Sequence, residues 1–207
     1  MNRAPHTTAL LLCLLTGGCN VIGAVGGQLA GPPTVKARYT PPREPMLVLV
    51  ENYHNPAATR LDAQRLGLRL TEELANWKIA PVIDPGHLES VKAREDFAKM
   101  PIEQVGRAAG ARQVLYVNLR EFGTSTTVGA DATKGRAEMH VRVVDAATGR
   151  TRWPTDAPRG YPVTVETPWV GGGNEVAVKG QLARHAAYEI VRLLRTWSPE
   201  ENDLSEP

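Results

Sequence analysis

At 207 residues, with 24 basic and 22 acidic side chains, the chain is long enough for one medium domain with a real hydrophobic core plus short tails. A net charge of +2, with basic residues scattered rather than blocked, gives no reason to expect nucleic acid or an acidic membrane as the main partner. Both cysteines, Cys13 and Cys19, fall in the first tenth of the sequence, so the remainder can build neither a disulfide framework nor a cysteine metal site.

The first element is a short basic start, Met1 to His6, followed by the apolar run Thr7–Leu15 and then Thr16-Gly17-Gly18-Cys19. About nine apolar residues are too few for the roughly 20 that a membrane-spanning helix needs. A basic start, a short apolar core and small residues after it predict a secretory signal over residues 1–18. Leu15 to Cys19 resembles the bacterial lipoprotein signal, with Thr16 where that pattern usually has leucine. The resemblance implies diacylation of Cys19, palmitate included, and two acyl chains suffice for stable anchoring. Residues 19–45 read as a lipid-anchored flexible tether, loosened by Gly23, Gly26, Gly27 and Gly31 and stiffened by two Pro-Pro pairs.

A single domain is expected over residues 46–197. Met46–Val50 is apolar throughout, which predicts a strand covered on both faces. Asn55-Pro56 reads as cap and first turn of a helix running to Trp77, with Ala63, Leu66, Leu70, Leu74 and Trp77 as its buried stripe. Gly67 within it is either a small propensity cost or a close approach to the sheet. Ile79–Ile83 reads as a second strand, an edge because of Pro81, and Leu88–Phe97 as a surface helix. Pro101 to Ala109 predicts a short helix ended by Gly110. Gln113–Leu119 predicts a strand with Val114 and Tyr116 on one face and Leu115, Val117 and Leu119 on the other.

Thr124–Lys134 is polar and reads as a flexible loop. Ala137, Met139, Val141 and Val143 alternate with polar residues and predict a half-solvated strand. Asp145–Arg150 reads as a hairpin turn with Gly149 left-handed, returning at Thr151–Trp153. Pro162–Thr167 reads as a further strand or extended loop. Asn174 caps a last helix expected to reach Trp197, and residues 198–207 read as an acidic disordered tail. The fold class that accounts for this order is α/β: a two- or three-layer sandwich with a mixed sheet, two long helices and a late β-hairpin.

Chemistry-bearing patterns are sparse. His54, His87, Glu51, Asp84 and Glu89 can meet near the ends of the first two strands, but none has a metal-ligand spacing. His185 and Glu189 are four apart on one helix face, a surface pair. The glycine run Val170 to Asn174 precedes a helix yet lacks a nucleotide-loop ending, and reads as a flexible connector. No serine sits in a hydrolase elbow. Among loop aromatics, Tyr161 and Trp169 are the candidate partner-binding residues. No cofactor and no metal site are expected.

Two stretches carry a family resemblance. Ile102–Leu119, a helix then Gly110-Ala111 then Tyr116-Val117, and Ala137–Trp153, with Asp145, Thr148-Gly149 and Trp153, resemble envelope lipoproteins related to the curli-secretion protein and the penicillin-binding-protein activators, with a TolB N-terminal-like α/β domain. The resemblance implies a domain lipid-anchored in the cell envelope and facing the periplasm. It implies a non-enzymatic accessory or assembly factor, in cell-wall synthesis or secretion, that binds envelope or periplasmic proteins or forms homo-oligomers. With Thr124–Lys134 read as a loop, no pair of long alternating strands is expected, which argues against the pore-forming members. Alternatives are a small-ligand or nucleotide-binding module and a metal-dependent enzyme using His54 and His87.

Overall fold

The computed structural model describes residues 33–52, 60–127, 129, 131–172 and 174–201; the signal, Cys19, Asn55-Pro56, His54 and most of the acidic tail lie outside them. The chain divides into two compact units. The described part of the first is small: Val35 and Trp197 pair as an antiparallel bridge with N···O distances of 2.8 and 3.0 Å. The second, residues 36–196, carries the sheet and helices.

Its elements are β1 (Met46–Glu51), α1 (Arg60–Asn76), α2 (Pro85–Lys92), a 3-10 turn (Phe97–Lys99), α3 (Ile102–Ala108), β2 (Gln113–Thr127), β3 (Ala132–Asp145), β4 (Thr151–Trp153), β5 (Tyr161–Glu166), β6 (Val170–Gly171) and α4 (Glu175–Leu194). Strand β1 runs parallel to β2, as the helical crossover requires, and β3 is antiparallel to β2. Strands β4, β5 and β6 follow one another along the far edge of β3.

The apolar alternation decides what covers each face. Met46, Val48, Val50, Leu115, Val117, Ala137, Met139, Val141 and Val143 point into one cluster with the stripes of α1 and α4. Leu66, Leu70 and Leu74 are fully buried there, each contributing about 1.5–3 kcal/mol of transfer free energy. The alternate residues, Leu47, Leu49, Val114, Tyr116 and Val144, form a second cluster under α2 and α3. The sheet is therefore three-layered over β1 and the start of β2, and two-layered beyond. Asp62 on α1, 7% exposed, binds Arg65 at 2.9 Å and Lys179 of α4 at 3.4 Å, tying the two long helices together. Asn174 caps α4 as expected, its side chain accepting from the Val176 and Ala177 N–H groups.

Five expectations fail for identifiable reasons. The stretch 124–134 is mostly strand: Thr124 to Thr127 pair with Gly135 to Ala132 in register, so β2 and β3 form a hairpin of 15 and 14 residues. Two long paired strands are thus present where none was expected, with Thr124–Thr127 showing no apolar alternation. Ile79–Ile83 makes only a bridge, Val82 to Met46, because Pro81 has no N–H and Asp84 turns the chain at once into α2. Helix α1 ends at Asn76, close to the expected end, but Trp77 is not part of its buried stripe: it lies 41% exposed under the Arg195 guanidinium, 3.4 Å from its ring centroid. Helix α4 ends at Leu194, since Arg195 is extended and takes Trp197 off the buried stripe. Finally, the described end of the expected tether is fastened. The Arg38 and Tyr39 N–H groups donate to the Leu193 carbonyl, Gln113 Nε2 donates to the Pro42 and Glu44 carbonyls at 2.9 and 3.0 Å, and Arg152 binds Glu44.

Candidate functional site

Strand β1 ends at Glu51, paired with Asn118 of β2, and residues of α1 and α2 flank that end without closing over it. The gap is a cleft of about 490 Å³ whose polar lining is Glu51, Asn52, Arg60, Gln64, Glu89 and Lys92, with Val50, Ala63 and Phe97 supplying apolar wall. It sits at the carboxyl end of a parallel strand, the usual ligand position in open α/β sheets. A narrower groove of about 160 Å³ continues along the β1 edge past Val48 and Ile83.

The polar groups of this cleft are already partly committed. Glu51 accepts a 2.8 Å hydrogen bond from the Tyr116 hydroxyl, Tyr116 lies under the Arg142 guanidinium, and Lys92 binds Glu89 at 2.9 Å. Asn52 is buried. Of the acids and histidines expected near the strand ends, Glu51 and Glu89 come together at the cleft. Asp84 instead caps α2 through the Gly86 N–H at 2.7 Å, and His87 is exposed on that helix. No three metal-ligating side chains cluster among the described residues. The sequence pointed to the strand end; it gave no sign of Arg60, Gln64, Lys92 or Phe97, which reach the cleft only through the packing of separate helices.

The two partner-binding candidates separate. Tyr161 stacks on Trp153 at 5.3 Å, and Trp153 on Tyr39 at 6.1 Å, so its ring is spent holding the N-terminal segment to the sheet. Trp169 is 52% exposed, with Lys134 Nζ 5.9 Å from its ring centroid. Tyr161 sits opposite Val141 and Trp169 beside Lys134, seven positions apart on β3 or roughly 23 Å. They form no common patch. Trp169 borders a charged network in which Arg136 binds Glu166 at 2.7 Å and also Glu138, while Lys134 binds Glu166.

The glycine run does not act as a free connector or an anion cradle. Val170 and Gly171 pair with Thr133 and Ala132, the Gly172 N–H donates to the Asp131 carbonyl, and Asn174 occupies two of the first amides of α4. His185 makes no ion pair with Glu189, which binds Arg192 at 2.7 Å. Burial, reinforced by neighbouring Arg184, lowers the His185 imidazole below its ordinary value of 6.5, against a hydrogen bond at the Glu166 backbone. At the hairpin turn the Arg152 guanidinium and the Thr148 N–H hold Asp145 well below the usual carboxylate range.

No family model matches the chain, and no curated protein matches it. Solved structures similar to it include the PelC dodecamer from Paraburkholderia phytofirmans, at 18% identity over 80% of this chain and 94% of that one, with a TM-score of 0.41. Lipoprotein GNA1162 from Neisseria meningitidis is 17% identical over 72% and 98%, with a TM-score of 0.42. The LpoB C-terminal domain from Salmonella enterica is 16% identical over 71% and 93%, with a TM-score of 0.29. Likeness at this level assigns neither an activity nor a partner.

Proposed function

We propose that this chain is a bacterial envelope lipoprotein, exported and anchored by acyl chains on Cys19, that faces the periplasm and acts as a non-enzymatic accessory or assembly factor through protein contacts. The observation that carries the reading is the stretch from Ala9 to Cys19: an apolar run too short to span, then two glycines and a cysteine. No helix among the described residues is long and apolar enough to cross a membrane, so the acyl chains are what would hold the protein at one. Cell-wall synthesis or secretion is the setting that the sequence resemblance implies. Exposed Trp169 is the contact residue of this reading, since aromatic side chains contribute disproportionately at interfaces.

The test is fractionation of the expressing bacterium, followed by cross-linking of the membrane-extracted protein. The parent chain is expected in the membrane fraction with cross-linked envelope proteins, and Cys19→Ala is expected to leave it. Retention of Cys19→Ala in the membrane to the same extent as the parent would overturn the anchor.

A second reading, a small-ligand module, is favoured by the cleft of about 490 Å³ at the end of β1, a size that suits small molecules. Native mass measurement of the purified chain tests it. A bound species lost in Gln64→Trp supports this reading, and a ligand-free mass from several growth conditions removes it.

A further inference from the structure

The net charge of +2 conceals an uneven distribution. Strands β1 and β2 begin side by side, Met46 opposite Gln113, and this end of the sheet also receives the C-termini of α1, α3 and α4. The segment entering from the N-terminus crosses it, from Arg38 against Leu193 to Pro45, whose carbonyl accepts the Arg112 N–H at 2.9 Å. Along that path lie Lys36, Arg38, Arg43, Lys78 and Arg112, all exposed. Arg43 and Lys78 share one shallow cleft with Ala80, Pro81 and Val82.

None of these five cations enters an ion pair among the described residues. Three acids of this end are already taken. Glu44 and Asp145 both bind Arg152, at 2.8 and 2.6 Å, and Glu73 accepts from the Trp77 indole at 3.2 Å. At the far side of the sheet Lys134 and Arg136 are shared among Glu121, Glu138 and Glu166, and Arg60 and Arg120, unpaired among the described residues, stand apart from them rather than along one crossing segment. Compensation of helix C-termini accounts for Lys78 and Arg112, which follow α1 and α3. It does not account for Lys36, Arg38 and Arg43, which lie on an extended segment.

We infer that this basic end docks on an anionic phospholipid surface. Two features select that occupant. The face presents five exposed cations that enter no ion pair among the described residues, the charge complement of anionic headgroups. It is also the face tethered closest to the proposed anchor: Lys36 lies seventeen positions after Cys19, so even a fully extended chain keeps it within roughly 60 Å of the acylated residue. The inference rests on the anchor reading for its biological setting, and its chemistry is tested without the acyl chains. Docking would fix the domain with the ends of β1 and the β2–β3 hairpin directed away from the membrane.

The experiment is co-sedimentation of the full chain carrying Cys19→Ala with vesicles of phosphatidylcholine alone and of phosphatidylcholine with about one-third phosphatidylglycerol. Any pull by the apolar N-terminal run acts on both vesicle types. Partitioning is expected to be on the order of 100-fold stronger on the anionic vesicles and to fall with added salt. The triple variant Arg38→Gln, Arg43→Gln, Lys78→Gln is expected to lose about that factor, whereas Arg60→Gln, beside the cleft at the far end, changes it less than about fivefold. Equal binding to both vesicle types overturns the inference, as does a triple variant that binds like its parent. So does a triple variant that keeps vesicle binding while losing capture of an acidic protein. Because the Cys19→Ala chain carries no acyl group, the assay fails or succeeds independently of whether the native chain is acylated.

Discussion

Helix α3 is held to the sheet at a glycine, and that contact can be tested by adding one methyl group. A Cβ at Gly106 would lie 2.5 Å from Val114 Cγ2 and 3.1 Å from the Ala146 Cβ, where apolar carbons rest at about 3.5–4.0 Å. The helix must therefore lift by about 1 Å from β2. Overpacking of that kind costs about 1–3 kcal/mol, and replacing a helical glycine by alanine returns up to about 1 kcal/mol. Gly106→Ala is thus expected to be net destabilising by about 1–2 kcal/mol, a drop of roughly 2–8 °C in Tm. Gly180 on α4 is its control, because nothing lies within 4 Å of the added carbon; Gly180→Ala should gain about 0.5–1 kcal/mol. Urea and thermal unfolding followed by circular dichroism measure both. Two shifts of the same sign, or a Gly106→Ala protein as stable as its parent, would refute the packing argument.

Three further outcomes follow from the geometry. Arg152→Leu leaves Glu44 and Asp145 without their shared partner; since the groups are partly exposed, the loss should be about 1–2 kcal/mol in urea unfolding, with faster proteolysis in residues 36–45. His185 has its pKa lowered in the folded chain by burial and by Arg184, so the unfolded chain binds the proton more readily. Stability from this group is complete above about 6.5 and is lost as pH falls below it. Unfolding midpoints from pH 8 to about 5 should slope less in His185→Gln, and an unchanged slope would contradict this. Trp169→Ala removes an exposed ring; it should move stability by no more than about 0.5 kcal/mol while reducing cross-linked partner, and undiminished cross-linking would exclude Trp169 from the contact.

The parts of the fold legible in the sequence are those where burial imposes a period. Met46–Val50 reads correctly because both of its faces are covered. Ala137–Val143 reads correctly because only one is, and Asn174 and Gly149 are local signals that need no tertiary context. The hairpin tip was illegible for the opposite reason: Thr124–Thr127 are solvated or only partly buried, so no apolar alternation marks them. The bulge at Arg120 also puts Leu119 and Phe122 on one face, breaking the period in β2. Trp77 departs from the helical period because the chain leaves α1 through Lys78 at φ 51°, a left-handed turn without the glycine that normally announces it. The fastening of residues 38–45 depends on Gln113 and Arg152, far along the chain, and no local pattern encodes such contacts. The same limit hid the cleft, whose walls come from β1, α1 and α2 at once.

Acylation at Cys19 is tested most directly by intact-mass measurement of the protein extracted by detergent from the bacterial membrane. The expected species begins at Cys19 and carries a diacylglyceryl group on its sulfur. A protein that still begins at Met1, with both thiols unmodified, would contradict it.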